Sequence, residues 1–330
     1  MVTRVTVLVL TTLFILLMQA KVFSEPTQIK GHAPGAEGMK VELHAYDDFI
    51  SNKQVLLNKA LIGQDGSFEI TQKLNTTTFV YLKIGLQKAE LLFEPGRNYH
   101  LQITGLLDEN LQMADIPHFQ LPPLLIKIIE PWRHELNGLV RDFFIFHENF
   151  ITENAAALLI QRSPGIAGHY ASQLYDEFPG IDNFWFNEML TWKIAAIEMM
   201  ARAKGRETIA RDYLLEHEVL YNHMIYMDFF NQFWDKYLIT SRLYNRSELI
   251  ETLNSSDSYS LMMEMLGKDP ILSGNRLREL VLIRSLKDLH GLVGFSQRAI
   301  IRLLEEVQKK SEYAEHRKIA GNLRGQIGQN

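Results

Sequence analysis

The chain has 330 residues, of which 46% are apolar and 10% aromatic, with 34 Lys and Arg against 39 Asp and Glu. An apolar fraction of this size excludes disordered, collagen-like and coiled-coil classes, and the length allows one large core or two domains. The net charge of -5 offers no general attraction for phosphate backbones, so no nucleic-acid partner is expected. Without cysteine, this chain holds no disulfide, iron–sulfur cluster or thiol nucleophile.

The first 24 residues have the pattern of an export signal. Arg4 precedes an uncharged apolar run of 14 residues, Val5 to Met18, and small residues follow at Ala20 and Ser24. The run fits the roughly 7 to 15 residues of a signal-peptide core and is shorter than the ~20 that span a bilayer as a helix. Residues 1–24 are therefore predicted to be a signal peptide, and the product to be periplasmic or secreted, meeting the membrane only through this segment. The alternative is an anchor formed by an uncleaved N-terminal helix.

Residues 25–105 show the alternation of apolar and polar side chains that is typical of strands with one buried face. Val41, Leu43 and Ala45 are one such set. Asp65-Gly66 lies between the runs 55–62 and 68–74 and predicts a tight hairpin turn joining them. Pro95-Gly96 predicts a type II turn, after which Tyr99, Leu101 and Ile103 share a face. The spacing predicts six to eight strands in a small antiparallel β-sandwich or an open barrel.

The periodicity changes after residue 105. Residues 106–121 are predicted to be a linker, because Pro117 and the pair Pro122-Pro123 keep the chain extended. From 122 to 330 apolar residues recur at steps of three and four, which predicts an all-helical domain of eight or nine helices. The fold class expected is α+β, with the sandwich followed by the helices. One predicted helix face contains Trp132, Leu136, Leu139, Val140, Phe143, His147 and Phe150, and another helical stretch covers Leu220 to Leu238.

Aromatic residues are concentrated in the stretch 221–237. They are Tyr221, Tyr226, Phe229, Phe230, Phe233, Trp234 and Tyr237. Such a set could form a surface belt that binds a partner or a sugar. All but Tyr221 fall at helical spacing on one face, however, so packing in the core is the favoured interpretation.

Motifs that would carry chemistry are missing from the sequence. His217-Glu218 and His223 come closest to a zinc motif, but six residues separate the histidines and turn them to different sides of a helix, so surface or capping roles are favoured. Asp47-Asp48 follows a predicted strand and is interpreted as a pair of solvated turn acids rather than a catalytic pair. The sequence also has no nucleophile elbow and no phosphate-binding glycine loop. The prediction is therefore that there are no catalytic, cofactor-binding or metal-binding residues, and no cofactor.

Two stretches and the order of the elements resemble a known family. The first is Val219-Leu220-Tyr221-Asn222 leading into Tyr226-Met227-Asp228-Phe229-Phe230-Asn231 and Lys236-Tyr237-Leu238. The second is Glu315-His316-Arg317-Lys318-Ile319-Ala320 with Asn322-Leu323-Arg324. Together with a sandwich ending in Phe93-Glu94-Pro95-Gly96, they resemble the region that precedes the thioredoxin domain in TlpA-like thioredoxin-domain proteins of Bacteroidetes. The resemblance covers about residues 28–327 and carries over no catalytic residue, because the thioredoxin domain and any Cys-x-x-Cys pair have no counterpart here.

These observations lead to two expectations about function. The first is an exported accessory or interaction module without catalytic activity, whose sandwich and helices position a protein partner or envelope ligand or present a groove at their junction. The alternative is the front part of a TlpA-like thiol-disulfide oxidoreductase. A carbohydrate-binding surface on the sandwich is a third possibility, which rests on fold analogy.

Overall fold

A computed structural model describes residues 25–107, 121–215 and 217–329. The predicted signal peptide, residues 1–24, lies outside this range, as does most of the predicted linker. Among the residues described, no helix combines the length and apolar character needed to cross a bilayer.

The fold is α+β, as predicted, with two four-stranded sheets followed by eleven α-helices in the described part of the chain. The strands are β1 (Thr27–His32), β2 (Lys40–Tyr46), β3 (Gln54–Leu61), β4 (Ser67–Gln72), β5 (Thr78–Ile84), β6 (Gln87–Phe93), β7 (Asn98–Thr104) and β8 (Leu125–Ile128). Their order is β4-β1-β7-β8 in one sheet and β3-β2-β5-β6 in the other. All neighbouring pairs are antiparallel except β1 and β7, which are parallel.

The inward faces of the two sheets form the core of the sandwich. The alternation in the sequence is confirmed, since Val41, Leu43 and Ala45 are all buried between polar or half-buried neighbours. The same holds for Tyr99, Leu101 and Ile103 in β7. Burial of these side chains away from water is what holds the two sheets together.

The hairpin predicted around Asp65-Gly66 is wrong, although the turn itself is present. Gly66 has a φ of +77° and donates its N–H to the carbonyl of Gly63. The strands on either side of the turn belong to different sheets, because β3 pairs with β2 and β4 pairs with β1. The N–H of Ala33, just after β1, donates to the carbonyl of Gly66 and ties the turn to the other sheet.

The helical region begins later than the predicted boundary at 122. β8 lies within it and pairs with β7, and the first helix starts at Leu136. Trp132 was expected on a helix face but precedes the helix and packs on the sandwich, with its ring 5.2 Å from that of Tyr99. The physical reason is the position of the prolines, since Pro122-Pro123 and Pro131 disfavour helix in this segment.

Eleven α-helices complete the described chain. They are α1 (Leu136–Glu153), α2 (Gly165–Glu177), α3 (Phe184–Met200), α4 (Arg206–Ile209), α5 (Met224–Phe233), α6 (Tyr237–Thr240), α7 (Arg246–Asn254), α8 (Ser258–Leu266), α9 (Asn275–Leu289), α10 (Gln297–Lys310) and α11 (Ala314–Gln329). Two π-helical turns, Ala156–Gln161 and Ala210–Leu215, and a 3-10 turn, Pro270–Leu272, lie between them.

The aromatic residues of α5 and α6 form part of the helical core. The predicted continuous stretch 220–238 is divided, because Lys236 has a φ of +49° and separates the two helices. The interpretation of these aromatics as core residues is confirmed. Tyr226, Phe229, Phe230, Phe233, Trp234 and Tyr237 are each at most 4% exposed.

Candidate binding groove

A groove of about 1090 Å³ lies where the sandwich meets the helices. Its walls come from β6, from residues 126–135 including β8, and from the first two turns of α1, with Trp185 and Met224 contributing from α3 and the start of α5. We call this feature the junction groove. The two edge strands that face it, β6 and β8, end the two sheets of the sandwich.

The edge of β6 that faces the groove is closed at both ends. At one end the carbonyl of Lys88 accepts the N–H of Leu124, at 3.1 Å. At the other end the side chain of Asn137 replaces a neighbouring strand: its Oδ1 accepts the Leu92 N–H at 2.7 Å and its Nδ2 donates to the Leu92 carbonyl at 2.9 Å. Alternate residues of an antiparallel strand turn their main-chain groups to the same side. Glu90, between these two, therefore turns its N–H and carbonyl to the groove.

The edge of β8 faces the same gap. The N–H of Ile129 donates to His100 of β7 at 2.7 Å, so every second residue back from Ile129 faces β7. Ile126 and Ile128 alternate with the residues that face β7, so their main-chain groups point to the other side. Leu124, whose N–H bonds to β6, points to that same side. Their main-chain groups therefore point from β8 toward β6. In the described parts of the chain, no hydrogen bond is made to these groups or to the outward groups of Glu90.

Apolar side chains that are only half-buried line much of the groove. This set consists of Phe79, Ile126, Ile128, Trp132, Leu139, Val140, Phe144 and Met224. Several of them pack with one side against a core and leave the other side open to the groove. A contiguous set of this kind on a protein surface is typical of an interaction site.

The polar groups of the groove have structural partners or lie on its rim. Glu135 is buried and caps α1, since its carboxylate accepts the N–H groups of Asn137 and Gly138 at 3.0 and 2.8 Å. An acidic group at this position also interacts favourably with the helix dipole. Arg141 and Asp142 pair at 2.9 Å on the exposed rim. These contacts fix the start of α1 beside β6 and thereby hold one wall of the groove.

On another side of the molecule, residues 47–53 between β2 and β3 enter the helical region, and we call them the docking loop. Asp48 is 5% exposed and accepts the N–H groups of Ile50 and Ser51. Asn322 of α11 donates to the carboxylates of Asp47 and Asp48, at 2.7 and 2.9 Å. The expectation that both acids are solvated is therefore wrong for Asp48, because the carboxylate organises a buried turn.

Further contacts extend this junction to α9 and α5. Lys287 of α9 donates to the carbonyl of Ile50 at 2.6 Å, and Asn231 of α5 donates to that of Phe49 at 2.8 Å. Ile50 itself is 1% exposed and belongs to the core of the helical region. The sandwich is thus bound to the helices by hydrogen bonds from helix side chains to its main-chain carbonyls as well as by apolar contact.

The two stretches that carry the sequence resemblance meet inside the helical region. The hydroxyl of Tyr221 lies 2.7 Å from Nε2 of His316, and Nδ1 of that ring lies 3.3 Å from the carboxylate of Glu279. His316 and Glu279 are 0% and 2% exposed, while burial raises the pKa of the Tyr221 hydroxyl. Fully buried groups of this kind fix the packing of α9 against α11 rather than present chemistry to solvent.

The histidines of the rejected zinc motif have separate roles. His217 is exposed, with Nε2 3.1 Å from the carbonyl of Asp212. His223 is buried and caps α5: its Nδ1 accepts the N–H of Tyr226 and its Nε2 lies 2.9 Å from the carbonyl of Trp185. Surface and capping roles are thereby confirmed. Among the residues described there is no group of three or more His, Asp or Glu placed to hold a metal ion.

Comparisons with known proteins provide no identification. No family model, curated protein or solved structure matches the chain. The resemblance to TlpA-like proteins therefore stays a prediction.

The residues that form the groove carry little signal in the sequence. Asn137 looks like an ordinary polar residue at the start of a helix, and its partner Leu92 is 45 positions away. The run of prolines around β8 was a usable signal, since it separates a short apolar segment, 124–129, from both neighbouring regions.

Proposed function

We propose that this chain is an exported interaction module, without catalytic activity of its own, that binds a segment of a protein partner in the junction groove. The observation that carries the proposal is the set of half-buried apolar side chains between β6, β8 and α1. Covering these apolar side chains with a partner removes them from water, which makes the free energy of binding favourable.

The size and composition of the groove favour a polypeptide over a small ligand. Its volume of about 1090 Å³ is slightly larger than the ~300 to 1,000 Å³ of common small-molecule sites. Aromatic residues such as Trp132 and Phe144 and the flexible side chain of Met224 are types that interfaces favour. The carboxylate of Glu135 accepts the hydrogen bonds that cap α1, so its role in the groove is structural.

Selection of short peptides by the purified protein tests binding at the groove. Peptides would be enriched from a displayed library of linear decapeptides, and dissociation constants measured by fluorescence anisotropy. We expect Val140→Glu, which places a charge in the groove, to weaken binding at least tenfold. The matched control is Ile145→Glu on the same helix, since Ile145 is 55% exposed and does not line the groove.

Two results would contradict the proposal. One is a library that yields no binding peptide, and the other is a peptide that binds the folded Val140→Glu variant and the wild type equally well. Circular dichroism would establish that both variants are folded before their affinities are compared.

Export is tested separately, by N-terminal sequencing of the native protein from a periplasmic fraction. The apolar run Val5 to Met18 and the small residues after it support cleavage at residue 20 or 24. A start at Met1 would contradict cleavage and favour the anchored alternative.

A further inference from the structure

Two strand edges face each other across the junction groove, and each has main-chain groups that no residue in the described part of the chain bonds to. Glu90 of β6 presents one N–H and one carbonyl, and Ile126 and Ile128 of β8 present two of each. We propose that the partner segment binds as an extended strand between β6 and β8 and forms main-chain hydrogen bonds with both edges. This inference rests on the proposed function and specifies the conformation and chemistry of the partner.

The hydrogen bond between Leu124 and Lys88 shows how the two edges are related. At this point the residue before β8 is within hydrogen-bond distance of β6, and residues further along both strands line the groove. Strands that are paired lie about 4.8 Å apart, so strand addition requires β6 and β8 to lie roughly twice that distance apart where the added strand binds. A segment placed there would connect the two sheets through main-chain hydrogen bonds to Glu90 on one side and to Ile126 and Ile128 on the other.

The ends of the gap limit the length of strand that fits. Asn137 occupies the main-chain groups of Leu92, and Leu124 occupies the carbonyl of Lys88. Between these two residues, Glu90 has both its N–H and its carbonyl open as far as the described residues show. On β8, Pro122-Pro123 and Pro131 limit the pairing edge to the residues between them. The β8 strand itself has four residues, which corresponds to about 13 Å of extended chain.

The surroundings of the gap specify the side chains of the partner. In an extended segment alternate side chains point the same way, so every second residue would face the apolar residues Leu139, Val140 and Phe144. Residues of high β-propensity, Val, Ile, Tyr or Phe, suit such positions. We therefore expect a partner segment of about four to six residues with apolar side chains at alternate positions.

The first test determines whether the protein forms hydrogen bonds with the main chain of the bound peptide. A selected peptide would be compared with versions that carry an N-methyl group on alternate amides, which removes the donor and adds bulk. Alternate amides of the bound segment face opposite edges, so methylation in either of the two alternating registers should weaken binding by tenfold or more. If the methylated peptides bind as tightly as the unmodified peptide, strand addition is wrong, although the groove would still be the binding site.

Hydrogen exchange on the wild-type protein gives a second readout that does not depend on any variant. Binding of the unmodified peptide should slow exchange at the amides of Glu90, Ile126 and Ile128. Protection of α1 alone, without these strand amides, would contradict strand addition. Two other results, each without protection of the strand amides, would also contradict strand addition. Dimerisation of the protein, detected by light scattering, would assign the groove to a second copy of the chain. Displacement of the peptide by a dodecyl-chain amphiphile would assign it to an acyl chain.

A proline substitution tests the edge of β8 directly. Ile128→Pro removes an N–H that points away from β7, so it blocks the added strand without removing a bond between β7 and β8. The matched control is Leu61→Pro on the edge strand β3. The N–H of the next residue, Ile62, donates to Met39 beside β2, so the Leu61 N–H points away from β2 and its loss removes no bond of the sheet. We expect a loss of affinity of at least tenfold for Ile128→Pro and an unchanged value for Leu61→Pro. If Ile128→Pro does not fold, the exchange experiment on the wild type still decides the question.

Discussion

At the scale of single residues, Asn322 joins the last described helix to the first part of the chain. It is 9% exposed, donates to two carboxylates and accepts from Nζ of Lys53 at 2.9 Å. Its side chain therefore satisfies both acids at the base of the docking loop. Removal of one partner from such a buried set leaves each remaining group with one hydrogen bond fewer, which costs more than the bond itself.

We expect Asn322→Ala to lower the free energy of unfolding by about 1 to 3 kcal/mol. The measurement is urea denaturation followed by circular dichroism. Asn187→Ala is the matched control, because Asn187 is exposed and its side chain donates one hydrogen bond, to the carbonyl of Ile181. The control should change stability by no more than about 0.5 kcal/mol. Equal losses in the two variants would show that the docking loop does not depend on Asn322.

His223 gives the protein a pH-dependent stability. Burial lowers the pKa of this side chain to about 4, while an unfolded histidine titrates near ~6.5. Between these values the unfolded chain binds a proton that the folded chain excludes, so stability falls as the pH drops from about 6.5 to about 4. The pKa of His147 is lowered to about 4 as well, by burial and then by the charge of Lys193, and acts in the same direction.

We expect His223→Asn to flatten this profile, because asparagine can still cap α5 but does not titrate. Between pH 7 and pH 4.5 the wild type should lose up to ~3 kcal/mol more stability than the variant. Urea titrations at a series of pH values measure the difference. His169→Asn, at an exposed position, should follow the wild-type curve. A His223→Asn profile as steep as that of the wild type would contradict the assignment.

At the scale of elements, Asn137 is the connection between α1 and β6. Its two hydrogen bonds with Leu92 close the end of a strand edge that would otherwise be open. We expect Asn137→Ala to lower stability by about 1 to 3 kcal/mol and to speed hydrogen exchange at the Leu92 amide. Asn149→Ala, an exposed position on the same helix, is the control. Unchanged exchange at Leu92 would mean that the edge is protected by packing alone.

The sequence predicted whether a segment is a strand or a turn better than it predicted which strands pair with each other. Alternation of side chains is a local property, so Val41, Leu43 and Ala45 were correctly assigned to a buried strand face. The turn at Asp65-Gly66 is also local and is present, but the sheet that β4 joins depends on β1, about 40 positions earlier. The segment Leu125–Ile128 was missed as a strand because four residues carry too little periodicity, and only pairing with β7 defines it.

At the scale of the whole molecule, the sandwich and the helices share contacts through the docking loop, and we expect them to unfold together. The docking loop brings Ile50 into the helical core, where Lys287 and Asn231 bind its main chain and that of Phe49. We expect a single transition in differential scanning calorimetry. Combining Asn322→Ala with Lys287→Met should separate this into two transitions. Two transitions in the wild type would contradict the shared contacts and favour independent domains.

The groove is a property of the whole molecule and could not be predicted residue by residue. A groove at the junction was expected from the presence of two regions, but its position depends on which main-chain groups are left over after pairing. That selection follows from the registers of β5 with β6 and of β7 with β8, set by contacts distant in sequence. The apolar residues that line it, such as Leu139 and Val140, have the same periodicity as residues that are fully buried.

The docking loop also bears on the order in which the chain reaches its final structure. Its partner Asn322 lies 274 positions after Asp48, and β1 pairs in parallel with β7, about 70 positions later. Synthesis proceeds from the N-terminus, so Asp48 exists for most of that time without the group that satisfies it. Contacts over such distances close slowly and late. The docking loop is thus synthesised early and reaches its final contacts last, and we expect a chain that stops before α11 to leave this loop open to proteases.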